Sequence, residues 1–229
     1  MAKAPPRVAI QGPAFIRLLA RLAAVQVPAP SAALPERLGQ WVDWNRAVTL
    51  ARALDGRLPE PPDAPALADG QAQECARVRA TLVAAIADEA RFPTSRPGAD
   101  GRLDFAPFGQ HYLSLQRAMA TATGKLRGQL RDLLGHRGPE LARLAEVDAV
   151  MEMTLSPREQ KLLAGVPALL GRHFDQLQPA TDAAAPGLLP AADGSWLSLF
   201  RKDMQAALMA ELDVRFKPID ALLAALRPR

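Results

Sequence analysis

"FAPFGQHYLSLQRAMATATGKLRGQLRDLL", residues 105–134, is the longest periodic run in the chain. Phe105, Phe108, Tyr112, Leu115, Met119, Ala122, Leu126, Leu130 and Leu133 step by threes and fours, the spacing that lines one side of an α-helix. A 30-residue helix extends about 45 Å at 1.5 Å per residue. Gly124 and Gly128 either weaken its centre or let another helix come close. A turn over 135–139 ends it, and Pro139 to Leu155 then reads as a returning helix with a seam of Leu141, Leu144, Asp148, Met151 and Leu155. So short a connection between two long helices predicts an antiparallel hairpin from Phe105 to Leu155, the spine of an all-α protein.

The rest of the chain agrees with a helical class. Hydrophobic residues make up 49% and aromatics only 5%, so the apolar content is Ala, Leu and Val, a mixture that favours helices over sheets. No stretch of period two is long enough to be read as a strand. The 21 prolines fall between the periodic segments, where they punctuate. Ala14 to Val25 is amphipathic through Phe15, Leu18, Leu19 and Leu22, with Arg17 and Arg21 off that stripe. A proline-rich break at 27–30 precedes a helix opened by Pro35 and stopped at Asp55-Gly56. In that helix Trp41 and Trp44, three apart, are expected on one side; they are candidate interaction residues, although such pairs more often anchor a core. A linker over 57–68 separates it from a helix Gln71 to Arg91, whose inner stripe includes Cys75, Val78 and Leu82.

"MEMTLSPREQKLL", residues 151–163, is the most motif-like passage. Ser156, Pro157 and Glu159 fit a capping box: Ser at the cap, Pro in the first helical position, Glu three residues on, with the hydroxyl and carboxylate taking up orphan amides. Ser156 and Glu159 are therefore expected to be a structural cap between two helices rather than catalytic residues. Pro167 should kink or divide the helix that follows to Leu177, and a loop occupies 178–194. The last helix is expected from Ser195, a cap, to about Phe216, with Pro218 interrupting it. The whole is an irregular bundle of six or seven helices. It reads as one helical domain over 1–229, with a subdivision at the linker into 1–56 and 69–229.

Chemistry is sparse. His111, His136 and His173 show no metal-ligand spacing, and no glycine-rich phosphate loop is present. The lone cysteine, Cys75, lies on an apolar stripe and reads as a small buried hydrophobe. Asp148 is expected to be a buried polar residue, setting register or pairing with an arginine. No catalytic, cofactor or metal residue is assigned, no cofactor is implied, and the protein is read as a non-enzyme. With no apolar run of the length a membrane span needs and one cysteine, a cytoplasmic location is expected. The net charge is +4, and apart from Lys3, Lys125, Lys161, Lys202 and Lys217 the 28 basic residues are arginines. These are scattered, so a nucleic-acid footprint is not indicated.

Four segments carry a resemblance: "RLGQWVDW" (37–44), "DFAPFGQHYLSLQ" (104–116), "RLAEVDAVMEMTLSPREQKLLAGVPALLGRHF" (143–174) and "FRKDMQAALMAELDVRFKPIDALLAALR" (200–227). Together they resemble, over nearly the whole chain, a bacterial family described only as a domain of unknown function. No activity or site residue comes with that resemblance. Proximity of such proteins to peptidoglycan-binding and proton-channel-like membrane proteins implies an accessory of an envelope-anchored assembly. The expected function is a non-catalytic helical interaction or scaffold protein, with a protein partner and self-association both compatible. The alternatives are a basic nucleic-acid-associated protein and an enzyme whose site is assembled across helices.

Overall fold

The computed structural model describes residues 13–24, 34–57, 70–98, 101–179 and 195–227. The proline-rich break at 27–30, nearly all of the linker and most of the loop over 178–194 lie outside those residues, as does the side chain of the expected cap Ser195. The described chain is all-α: α1 (Ala14–Leu22), α2 (Leu34–Trp41), α3 (Trp44–Asp55), α4 (Gln71–Ala87), α5 (Ala106–Gly135), α6 (Pro139–Leu163), α7 (Val166–Leu177) and α8 (Ser195–Leu226). A short 3-10 turn, Glu89–Arg91, follows α4, where one continuous helix was expected. Among the described residues the β pairing amounts to a single isolated bridge between Pro97 and Leu103.

The hairpin forms as its periodicity predicts. α5 buries Phe108, Tyr112, Leu115, Met119, Leu126, Leu130 and Leu133, and α6 returns along it after three residues. α8 packs on the other side of α5, so α5 is the central helix, with α4 and α7 against its flanks. Around its N-terminal end gathers an aromatic cluster, in which Phe174 lies 4.9 Å from Phe200 and 5.3 Å from Trp196, and Phe108 lies 5.6 Å from Phe200. These tilted and edge-on contacts suit the ring quadrupoles. Glycine at 109 and 171 lets the Phe105 ring lie close, since a Cβ there would sit 3.0 and 3.1 Å from it and the ring would have to give by a few tenths of an ångström. At Gly124 and Gly128 a Cβ would meet nothing within 4 Å, so no helix approaches closely there.

Three local expectations are corrected. Ser156 and Glu159 do not cap a helix: α6 runs unbroken through Pro157 to Leu163. An internal proline costs a helix about 3 kcal/mol. Continuing past it buries Leu163 and lets Arg158 donate to the Trp41 carbonyl at 3.1 Å. The break comes instead at Ala164-Gly165, and Pro167 sits in the first turn of α7, where a missing N–H is harmless.

Pro218 likewise lies inside α8 rather than ending it, because the helix beyond it buries Ile219 and Leu222. Trp41 and Trp44 do not share a helical side. Asp43 accepts from the Arg46 amide at 2.9 Å and caps α3, so Trp41 ends one helix and Trp44 begins the next.

Candidate functional site

α6 turns two of its acids toward α5. Asp148 and Glu152, one turn apart, face Arg127 and Arg131, one turn apart on antiparallel α5. Arg127 grips Asp148 through both edges, Nε to Oδ2 and Nη2 to Oδ1, each at 2.8 Å. Arg131 donates to Asp148 at 3.1 Å and also to Glu152. Arg127 and Asp148 keep only 16% and 13% of their side-chain exposure, so this layer is largely out of water. Burial works against the Arg131 charge, but its hydrogen bonds to Glu152 and Asp148 and the charges of those carboxylates outweigh it and raise its pKa. Asp148 is thus an arginine partner across the hairpin.

A second polar cluster centres on Glu211, which is fully buried. It accepts from the Tyr112 hydroxyl at 2.8 Å, from Gln116 at 3.1 Å, and from the Nε and Nη2 of Arg215 at 2.9 and 2.8 Å. Gln116 also donates to the Leu163 carbonyl at 3.2 Å, tying in the end of α6. Burial, then the Glu211 charge and its hydrogen bond, push the Tyr112 hydroxyl far above its usual pKa, which keeps it a neutral donor. The signal for this cluster is present in the sequence. Glu211 falls on the buried stripe of Met204, Leu208 and Leu212, with Arg215 four residues on.

The two clusters flank a cavity of about 150 Å³ between α5, α6 and α8. Thr123, Arg127, Glu152, Ser156, Glu159 and Arg215 are among its lining residues. Ser156 and Glu159, expected as a cap, instead form part of its wall.

On the opposite side α6 meets α3, and the character of the surface inverts. Arg143 donates to the carbonyls of Ala53 at 3.2 Å, Gly56 at 3.3 Å, and Leu54, closing the C-terminal end of α3. Beside it lies an open groove of about 430 Å³ lined by Leu54, Pro139, Glu140, Arg143, Leu144 and Val147. Leu54 is 47% exposed and Leu144, expected in the inner seam, is 39% exposed. Trp44 is 81% exposed at the start of α3, whereas Trp41 is half-buried with the Arg158 guanidinium 5.6 Å above its ring.

Each histidine has surroundings of its own. His173 Nε2 lies 2.8 Å from Asp203 Oδ2 beside the Phe200 ring, and His136 Nδ1 lies 2.7 Å from the Asp132 carbonyl. His111 packs on Phe92 at 5.4 Å with its Nε2 buried and without a hydrogen-bond partner among the described residues, and burial lowers its pKa. Cys75 is buried, and burial raises its thiol pKa. Among the described residues no three His, Cys, Asp or Glu side chains are grouped to hold a metal ion. Among the same residues no helix is long and apolar enough to cross a membrane.

No curated protein and no solved structure matches the chain. A family model does, from residue 1 to residue 228, and the chain therefore belongs to the family described as Protein of unknown function (DUF3348).

Proposed function

We propose that this is a non-catalytic helical interaction protein whose contact surface is the groove between α3 and α6, and whose partner there is a second copy of the same chain. The observation that supports this is the groove itself, where Leu54 of α3 and Leu144 of α6 stand exposed side by side. Neighbouring exposed leucines rimmed by charge offer a place for another apolar surface to pack. The rim supplies one acid and one base, Glu140 and Arg143, and among the described residues the hydrogen bonds of the Arg143 guanidinium go to backbone carbonyls. A two-fold pairing sets each copy's Glu140 against the other's Arg143, with the leucines between them, and such self-complementarity is what an isologous dimer requires. A two-fold dimer also presents every other surface twice, which suits a scaffold or accessory role.

The nucleic-acid alternative draws less support, since Arg77, Arg79, Arg91, Arg127, Arg131 and Arg215 are all spent on carboxylates. The test is light scattering over a range of protein concentrations. The mass should rise from 24.6 kDa toward twice that value, and Leu144→Glu should hold it at the monomer with unchanged helicity. A wild-type monomer at every concentration, or a dimer indifferent to Leu144→Glu and Leu54→Glu, overturns the reading.

A further inference from the structure

We infer that the cavity between α5, α6 and α8 is a binding site for a small zwitterion of the free α-amino-acid class. The inference is independent of the α3–α6 groove and rests on how two arginines are held. Arg127 commits Nε and Nη2 to Asp148, and Arg215 commits Nε and Nη2 to Glu211. Each guanidinium is thereby fixed from behind by a carboxylate, and one Nη remains on each. The remaining Nη1 of Arg127 lies 3.6 Å from Glu152, and that of Arg215 lies 3.6 Å from Glu159. Those gaps are too long for hydrogen bonds, and all four residues line the same cavity.

The cavity therefore presents two pre-oriented donors and two acceptor carboxylates. Glu152 is held by Arg131, while Glu159 is 40% exposed with Arg215 as its sole ion-pair partner among the described residues. A bare anion would face both glutamates, and a bare cation would face both arginines. A molecule carrying one charge of each sign satisfies both sets, its carboxylate on the Nη1 groups and its ammonium on Glu159. The charges of the two lining arginines and two lining glutamates cancel, so a neutral zwitterion also leaves the balance unchanged. The 150 Å³ cavity opens to solvent and has room for a molecule as small as glycine, alanine or serine.

The experiment is calorimetric titration of the full chain with glycine, L-alanine and L-serine, beside acetate, methylammonium and glycerol at matched ionic strength. At least one of the amino acids should bind saturably, and the three single-function probes should not. Gly124→Leu fills the cavity from a position where a Cβ meets nothing within 4 Å, so the variant should keep its helicity and lose binding. Glu159→Gln should weaken binding about tenfold by removing the ammonium's partner. Absence of saturable binding by all three amino acids overturns the inference. So does equal binding of acetate or glycerol, which would mark an anion site or a hydration cavity, and so does binding that survives Gly124→Leu.

Discussion

The two walls of α6 invert the usual assignment of polar and apolar residues. Toward α5 it sets Asp148 and Glu152 in a layer mostly shielded from water; elsewhere around the helix Leu144, Met153 at 59% exposure and Leu162 at 77% stand in solvent. The inner wall contributes little net stability as an ion-pair layer, because desolvation offsets attraction, but it is costly to break. The outer wall leaves apolar area in water that a monomer has no use for. The Asp148–Glu152 layer sets the pairing of α6 with α5, while Leu144 beside α3 is available to another molecule.

The comparison can be broken most strongly from inside. Asp148→Leu strands the Arg127 guanidinium, and denaturant unfolding should show a loss of about 3–5 kcal/mol. Replacing both partners, Arg127→Met with Asp148→Leu, should recover most of that loss, since apolar substitutes for a buried pair are often neutral. If the double variant is as unstable as the single one, the layer does more than pair charges.

Next comes Ser156→Ala. As an N-cap the serine would be worth about 1 kcal/mol, but inside a continuous α6 its removal should change stability by no more than about 0.5 kcal/mol. Leu162→Ser on the outer wall should be equally quiet in stability.

His111 adds a pH dependence of definite sign. Its folded pKa lies below the unfolded value of about 6.5, so the unfolded chain binds the proton more readily. Its contribution to stability is present above that value and is lost as pH falls through the folded pKa. Thermal melts between neutral and acidic pH should therefore show a smaller acid loss in His111→Phe than in the wild type. A small change is also expected at the exposed Arg79–Asp213 pair, where Arg79→Ala should remove about 0–1 kcal/mol, including its contact with the Phe216 ring.

The same contrast explains what could be read from the residues. The α5 stripe was legible to within a residue, Ala106–Gly135 against an expected start at 105 and end at 134, because its apolar steps coincide with real burial. The α6 seam was not, since a rule that places leucines inward puts Leu144 on the wrong wall. Pro157 and Pro218 look like boundaries, yet both lie inside helices whose continuation buries side chains beyond them. Local punctuation lost there to tertiary packing. At Trp41 and Trp44 the opposite happened: Asp43 imposed a local cap that an uninterrupted pattern concealed. Of the cavity, Glu211 and Arg215 carry a readable signal four residues apart on an apolar stripe, while Ser156 and Glu159 imitate a cap so well that their place on its wall required the fold.

The most direct measurement is amide hydrogen exchange at increasing protein concentration. A self-associating α3–α6 face predicts that exchange slows in residues 50–56 and 139–147 as concentration rises, while residues 120–127 and 211–218 around the cavity between α5, α6 and α8 do not change. Protection that is independent of concentration, or that rises anywhere but along α3 and the first turns of α6, would contradict the account.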